Sequence, residues 1–287
     1  AQAMARLVVD LDYDNFKTLS VTCDKGVAFV TFNHGELNLI DFEMVGELDR
    51  LGQILEQDGA IKVVVLQSAN PDFFIAHADL NSISALPAEP PPRQETLGWI
   101  NQTFDRLRTM PKVTIAKIEG RARGGGSELA LACDMRFGAL GKAVFAQPEV
   151  GIGIIPGAGG TVRLPRLIGQ ARALEIILGC GDISAEEAER YGYINRALPA
   201  DEIGAFVDEL AYRIASYPAD ALARAKSSVS FEGSVEDALN QEEVHFLKAA
   251  HSPAATQRMA AALAIGLQTP AGEKGALAGL WAALAHV

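Results

Sequence analysis

Residues 120–139 read GRARGGGSELALACDMRFGA. Three consecutive glycines, Gly124, Gly125 and Gly126, stand directly before a helical pattern that opens at Ser127. Glycine adopts backbone angles closed to other residues and lets another group come close to the main chain. The helix start offers free N–H groups and a partial positive charge, a place that suits an anionic oxygen. No GK[ST] ending follows and the spacing is not G-x-G-x-x-G, so neither nucleotide-binding loop applies. Glu128 sits among Leu129, Ala130, Leu131 and Ala132. The plainer reading is a tight turn with a glutamate that only favours the helix dipole.

Downstream, residues 145–160 read FAQPEVGIGIIPGAGG. Glu149 is a lone carboxylate in an apolar, glycine-rich run. On a surface loop it would be unremarkable. If buried, its charged form is disfavoured and its pKa rises, which suits proton transfer near neutrality. Two such carboxyls around one pocket, beside backbone N–H donors, can move protons next to a carbonyl while the enolate oxygen is held.

Upstream, residues 18–33 read as two strands joined at Asp24-Lys25-Gly26. Met44, Leu48, Leu51 and Leu55 mark a helix over 41–57. Residues 61–68 and 113–120 read as strands buried on both faces. The four prolines of 87–92 predict an exposed flap. A helix is expected over 94–109, with Leu97, Ile100, Phe104 and Leu107 as its stripe. Short strands are expected around 135–138 and 143–146. After Thr161 the pattern is almost wholly helical, so an α/β core with an appended helical subdomain is predicted.

Composition narrows the class. With 49% hydrophobic residues among 287, the chain has material for a real core, which excludes a disordered polymer. A net charge of −11 argues against a general nucleic-acid binder. Three cysteines without a CxxC pair argue against a disulfide framework or a zinc site. Cys133, in a buried helical pattern, reads as core. No run of about eighteen apolar residues suggests a membrane span. A cytoplasmic protein is expected.

The stretches 120–139 and 145–169, together with ISAEEAERYGYINRALP at 183–199, resemble the enoyl-CoA hydratase/isomerase (crotonase) superfamily over roughly residues 18–200. The resemblance implies a crotonase-type spiral of β-β-α units over 14–200. A helical C-terminal subdomain over 201–287 would serve trimerisation. It implies an acyl-CoA thioester as substrate, a homotrimer or a hexamer made of two trimers, and no nucleic-acid or membrane partner. No cofactor or metal is called for, since coenzyme A is part of the substrate.

Carried over residue by residue, the family's oxyanion hole falls on the N–H groups of Ala78 and Gly125. The paired glutamates of its hydratases fall on Glu128, expected to activate water, and Glu149, expected to deliver a proton to C2. Gly157 matches a glycine whose N–H helps place that water, and Asn38 a structural asparagine. Ala76, His77, Asp79 and Leu80 complete the expected substrate-binding loop. The chain departs from the pattern at His77, where glycine is usual and where a positive φ would be costly. It departs again at Asp72, where lysine often sits. Lys112, Arg121, Arg123 and Arg258 are candidate bases for the coenzyme A phosphates. Trp281, Leu280 and Leu284 could dock on a neighbouring subunit. The expected reaction is hydration of a 2-enoyl-CoA. The alternatives are double-bond isomerisation or another reaction of the superfamily and, in a different class, a non-catalytic scaffold or RNA-binding member.

Overall fold

Lys25 and Gly26 both adopt positive φ, 46° and 82°, the geometry of a two-residue hairpin turn. They join β1 (Leu19–Asp24) to β2 (Val27–Phe32), antiparallel, with Asp24 opposite Val27. The computed structural model describes residues 11–87, 97–230, 232–233, 235–265 and 283–284. Helix α1 (Phe42–Gln57) starts where Asp41 Oδ1 accepts the Met44 N–H at 2.9 Å, and it buries Met44, Leu48, Leu51 and Leu55. An aspartate cap of this kind is worth about 1 kcal/mol.

From there the chain repeats one move. β3 (Val63–Ser68) enters a first sheet and β4 (Phe73–Ile75) a second, followed by helices α2 (Leu80–Ser84) and α3 (Trp99–Thr109). β5 (Val113–Ile118) and β6 (Arg121–Arg123) do the same before α4 (Gly125–Ala132). β7 (Met135–Ala139) and β8 (Val144–Ala146) do so before a 3-10 turn (Glu149–Ile152), α5 (Gly160–Ile168) and α6 (Gln170–Gly179). The second sheet closes on β9 (Ile183–Ser184), antiparallel to β8. After α7 (Ala185–Tyr191), β10 (Arg196–Leu198) pairs parallel with β7 and completes the six-stranded sheet β1-β2-β3-β5-β7-β10. This is the expected spiral of β-β-α units.

Alternation within the strands explains why both faces of the first sheet are apolar. Val30, Phe32, Val64 and Leu66 point into the core shared with α1 and the second sheet. Val27, Val63, Val65, Ile115 and Phe137 point the other way, onto α8 (Ile203–Ala215), which buries Ile203, Val207, Ala211 and Ala215 against them. Helix α9 (Ala219–Val229) is tied down by Lys226, whose Nζ donates to the Leu107 and Lys112 carbonyls and pairs with Asp134 at 2.8 Å. Helices α10 (Val235–Ala250) and α11 (Pro253–Ala264) follow. Among the described residues no helix is long and apolar enough to cross a membrane.

Three expectations change. The segment after Thr161, expected to be almost wholly helical, also carries β9 and β10. They are two and three residues long, too short to carry a periodic signal. β6 was also not foreseen. The helix over 94–109 begins at Trp99 in the described residues, and Leu97 lies before it, 54% exposed, outside the apolar stripe. Residues 88–96, with most of the proline-rich stretch, lie outside the described residues, as do Leu280 and Trp281. Leu284 is buried, and its carbonyl accepts from Arg258 at 3.0 Å.

Candidate active site

Gly124 holds φ at +49°, and its N–H donates to the Ala146 carbonyl of β8. The left-handed angle suits glycine. At Gly126 the reason is space, since a β-carbon there would lie 2.4 Å from the Ile75 carbonyl oxygen. The triplet thus brings the start of α4 flush against the end of β4. The loop after β4 is pinned on either side of Ala78: Ile40 N–H donates to His77 O at 3.0 Å, and Asp79 N–H donates to Ile40 O at 2.8 Å. The N–H of Ala78 lies between these two bonds, and neither it nor the N–H of Gly125 has an acceptor among the described residues. A β-carbon on Gly125 would come within 3.6 Å of Ala78 N, so the two amides are neighbours.

They open on a cavity of about 820 Å³ between α1, α2, α3, α4 and the 3-10 turn. Eight of the nine expected site residues line it: His77, Ala78, Asp79, Leu80, Gly125, Glu128, Glu149 and Gly157. Ala76 does not. It lies behind the wall, buried, with its N–H on Leu37 O. Ile40, Val45, Ile83, Ile100 and Phe104 make one side of the cavity apolar.

Glu128 is 3% exposed. Its Oε1 accepts from the N–H groups of Ala158 and Gly160, both at 2.8 Å, at the positive end of α5. Burial pushes its carboxyl above the usual range, and the two amides and Arg163 oppose that push. Glu149 opens the 3-10 turn and is 9% exposed. Burial, with a smaller contribution from the Glu128 charge, pushes its carboxyl up to about 7. Two buried carboxyls in unlike environments can divide acid and base work between them.

Glu149 also has a partner that sequence reasoning missed. Gln147 is fully buried, and in the amide orientation that satisfies its neighbours it donates to both Glu149 oxygens at 3.1 Å while accepting from Ser127 Oγ at 2.9 Å. Ser127 in turn is hydrogen-bonded to the Tyr193 hydroxyl. The available signal was a glutamine in an apolar run, two residues before Glu149.

His77 keeps a negative φ, so the expected strain is absent, and its Nδ1 bonds the Ala78 carbonyl at 2.8 Å. Asp79 caps α2, accepting from the Ser82 N–H and hydroxyl, and hydrogen bonds hold its carboxyl below the usual range. Asn38 is buried and bonds His34, Ser68 and Phe74, a structural knot. Cys133 is buried in the core, which pushes its thiol up to about 12. Of the four candidate bases, Lys112 is buried with Nζ on the Asp58 and Ile61 carbonyls, and Arg258 donates to the Ser216 and Leu284 carbonyls. Arg121 lies over the Phe73 ring. Arg123 lines the cavity, in a two-point ion pair with Asp182.

A pocket with two buried carboxyls beside two unpaired amides, on a spiral of β-β-α units, is equipped for proton transfer next to a carbonyl. Residues 22–261 match the family model described as enoyl-CoA hydratase/isomerase. The short-chain-enoyl-CoA hydratase of Clostridium acetobutylicum is 36% identical over 205 residues, which is 71% of this chain and 77% of that protein. The crotonyl-CoA hydratase of Syntrophomonas wolfei is 35% identical over 180 residues, 63% of this chain and 68% of that one. The crystal structure of an enoyl-CoA hydratase from Bacillus anthracis superposes with a TM-score of 0.76 at 31% identity, covering 83% of this chain and 92% of that one. The chain belongs to the enoyl-CoA hydratase/isomerase (crotonase) family.

Proposed function

We propose that this protein adds water across the 2,3 double bond of a 2-enoyl-CoA thioester. The observation that carries this reading is the meeting of Glu128, Glu149 and the free N–H groups of Ala78 and Gly125 on one cavity. The thioester oxygen accepts from the two amides, and negative charge develops on it as water attacks C3. Donors placed where charge develops are worth about 3 kcal/mol each. Glu128, whose anion is supported by two N–H groups, takes the proton that water loses. Glu149, its pKa raised, gives a proton to C2. The bond from C3 to oxygen forms as the C2–C3 double bond closes onto the new C–H. One proton has then passed from one carboxyl to the other, and exchange with solvent resets the pair.

Exposed apolar side chains on the 3-10 turn, α5 and α6, among them Ile152, Val162, Leu167 and Leu178, support a further reading. In it, copies of this chain associate as trimers with the helical region after residue 200 contributing. Exposed apolar side chains gathered on elements that pack together mark candidate association faces.

The reaction is tested by following the absorbance of crotonyl-CoA as enzyme is added. Hydration predicts its loss. An enzyme that leaves crotonyl-CoA untouched and converts a 3-enoyl-CoA is an isomerase, and the proposal fails.

A further inference from the structure

Four side chains from distant parts of the chain form one buried line: Tyr193 after α7, Ser127 on α4, Gln147 after β8, and Glu149. The first three are fully buried. The Tyr193 ring packs against Phe145 with centroids 5.2 Å apart, which fixes where its hydroxyl points. That hydroxyl meets Ser127 Oγ, Ser127 meets the Gln147 amide, and the amide meets the Glu149 carboxylate.

Counting protons decides the direction of the line. A hydroxyl has one proton to donate, an ionised carboxylate has none, and an amide has two donors at one end and an acceptor at the other. With the Gln147 NH2 toward Glu149, Ser127 donates to Gln147 Oε1 and Tyr193 donates to Ser127. Every proton in the line then has an acceptor. With the amide reversed, two oxygens face each other across the gap to Glu149. One hydroxyl proton, of Ser127 or of Tyr193, also loses its acceptor in a fully buried place, which is costly.

We infer that Ser127 and Tyr193 are positioning residues for the reaction, holding the Gln147 amide so that its NH2 end fixes the Glu149 carboxyl. This rests on the reading of Glu149 as the proton-transfer group. Neither hydroxyl lines the cavity, so neither touches substrate. Their influence passes through the amide alone. The other titratable groups that line the cavity around Glu149 are Glu128, His77, Cys180 and the Arg123–Asp182 pair, with Asp41 and Asp79 at helix starts. None of these lies on the line.

Ser127→Ala alone strands the Tyr193 hydroxyl in the core and risks misfolding. The informative protein is therefore the double variant Ser127→Ala/Tyr193→Phe, in which the line beyond Gln147 becomes apolar. Its hydration of crotonyl-CoA is measured across pH, with thermal melting as the check on folding and Tyr193→Phe as a milder companion. Freed of its hydroxyl anchor, the amide turns and Glu149 loses donors to its charged form. The expected result is a kcat about tenfold lower with KM within about twofold of the parent. The alkaline limb of the profile moves up by about one pH unit, the tenfold effect of a hydrogen bond to an ionised group. In a Gln147→Met background the same two substitutions change nothing further. The inference is overturned if the limb of the folded double variant, or of Tyr193→Phe should the double variant not fold, stays where the parent's lies. It is overturned also if the substitutions shift the limb equally without Gln147. Full hydration by Glu149→Gln would remove the reading of Glu149 itself, a failure visible before the other variants are made.

Discussion

Glu149 stands over Gly124: a β-carbon on that glycine would lie 2.9 Å from Glu149 Oε1 and 3.5 Å from His77 Cβ. The backbone of the glycine turn is thus the floor on which the Glu149 carboxyl rests. Gly124→Ala meets two obstacles at once, the left-handed φ of +49° and the carboxylate above it. We expect this variant to lose at least about a hundredfold in kcat for crotonyl-CoA hydration, since displacement of about 1 Å at a reacting group costs that much. A steady-state assay on folded protein checks it. Activity within a few-fold of the parent would mean that Glu149 does not need that floor.

The two carboxyls share one cavity and titrate as a pair, so the pH profile belongs to the pair. In the proposed mechanism the working form holds one proton between Glu128 and Glu149. Activity falls as pH rises through the upper value, that of Glu149, which burial raises and the Gln147 amide opposes. It falls again in acid, as Glu128 also takes a proton. kcat/KM for hydration should therefore trace a bell between the two values of the pair. Rate measurements from pH 4 to 9 check this. A rate that holds level from neutrality to pH 9, with no alkaline fall, would contradict it.

His77 touches the loop after β4 through its bond to the Ala78 carbonyl, yet Ala78 is held independently by the two bonds of Ile40. His77→Ala is therefore expected to lower kcat/KM by less than about tenfold, the size of one net hydrogen bond. A loss of a thousandfold would mark the imidazole as a direct participant.

Lys226 anchors α9 to the core through Asp134 and two carbonyls, and its side chain is 9% exposed. Removing it takes the donor from both carbonyls and the counter-charge from Asp134, which keeps its bonds to Thr114. Lys226→Met should cost about 3 kcal/mol of unfolding free energy in urea, the lower range for breaking a buried pair. A change under about 0.5 kcal/mol would show the anchor to be idle.

What was legible in the sequence followed its range along the chain. The β1–β2 hairpin and α1 were readable because a turn and a periodic stripe are local signals. Glu128 and Glu149 stood out as single carboxyls in apolar runs, and the family resemblance supplied their pairing. The three-residue β6 was hidden because Arg121 and Arg123 look like surface residues, and its partners β4 and β8 lie far off in sequence. The same holds for Gln147, whose importance depends on Ser127 and, through it, on Tyr193, 66 residues from Ser127. Lys112 misled for a related reason. A lone lysine in sequence does not show that backbone carbonyls will bury it.

The most direct test of the central claim compares Glu128→Gln and Glu149→Gln with the parent enzyme on crotonyl-CoA. Glutamine keeps the shape of each side chain and removes its proton chemistry. The account predicts that the parent bleaches the enoyl absorbance and that each variant, folded, is slower by about a hundredfold or more. Either variant hydrating crotonyl-CoA at close to the parent rate would contradict it.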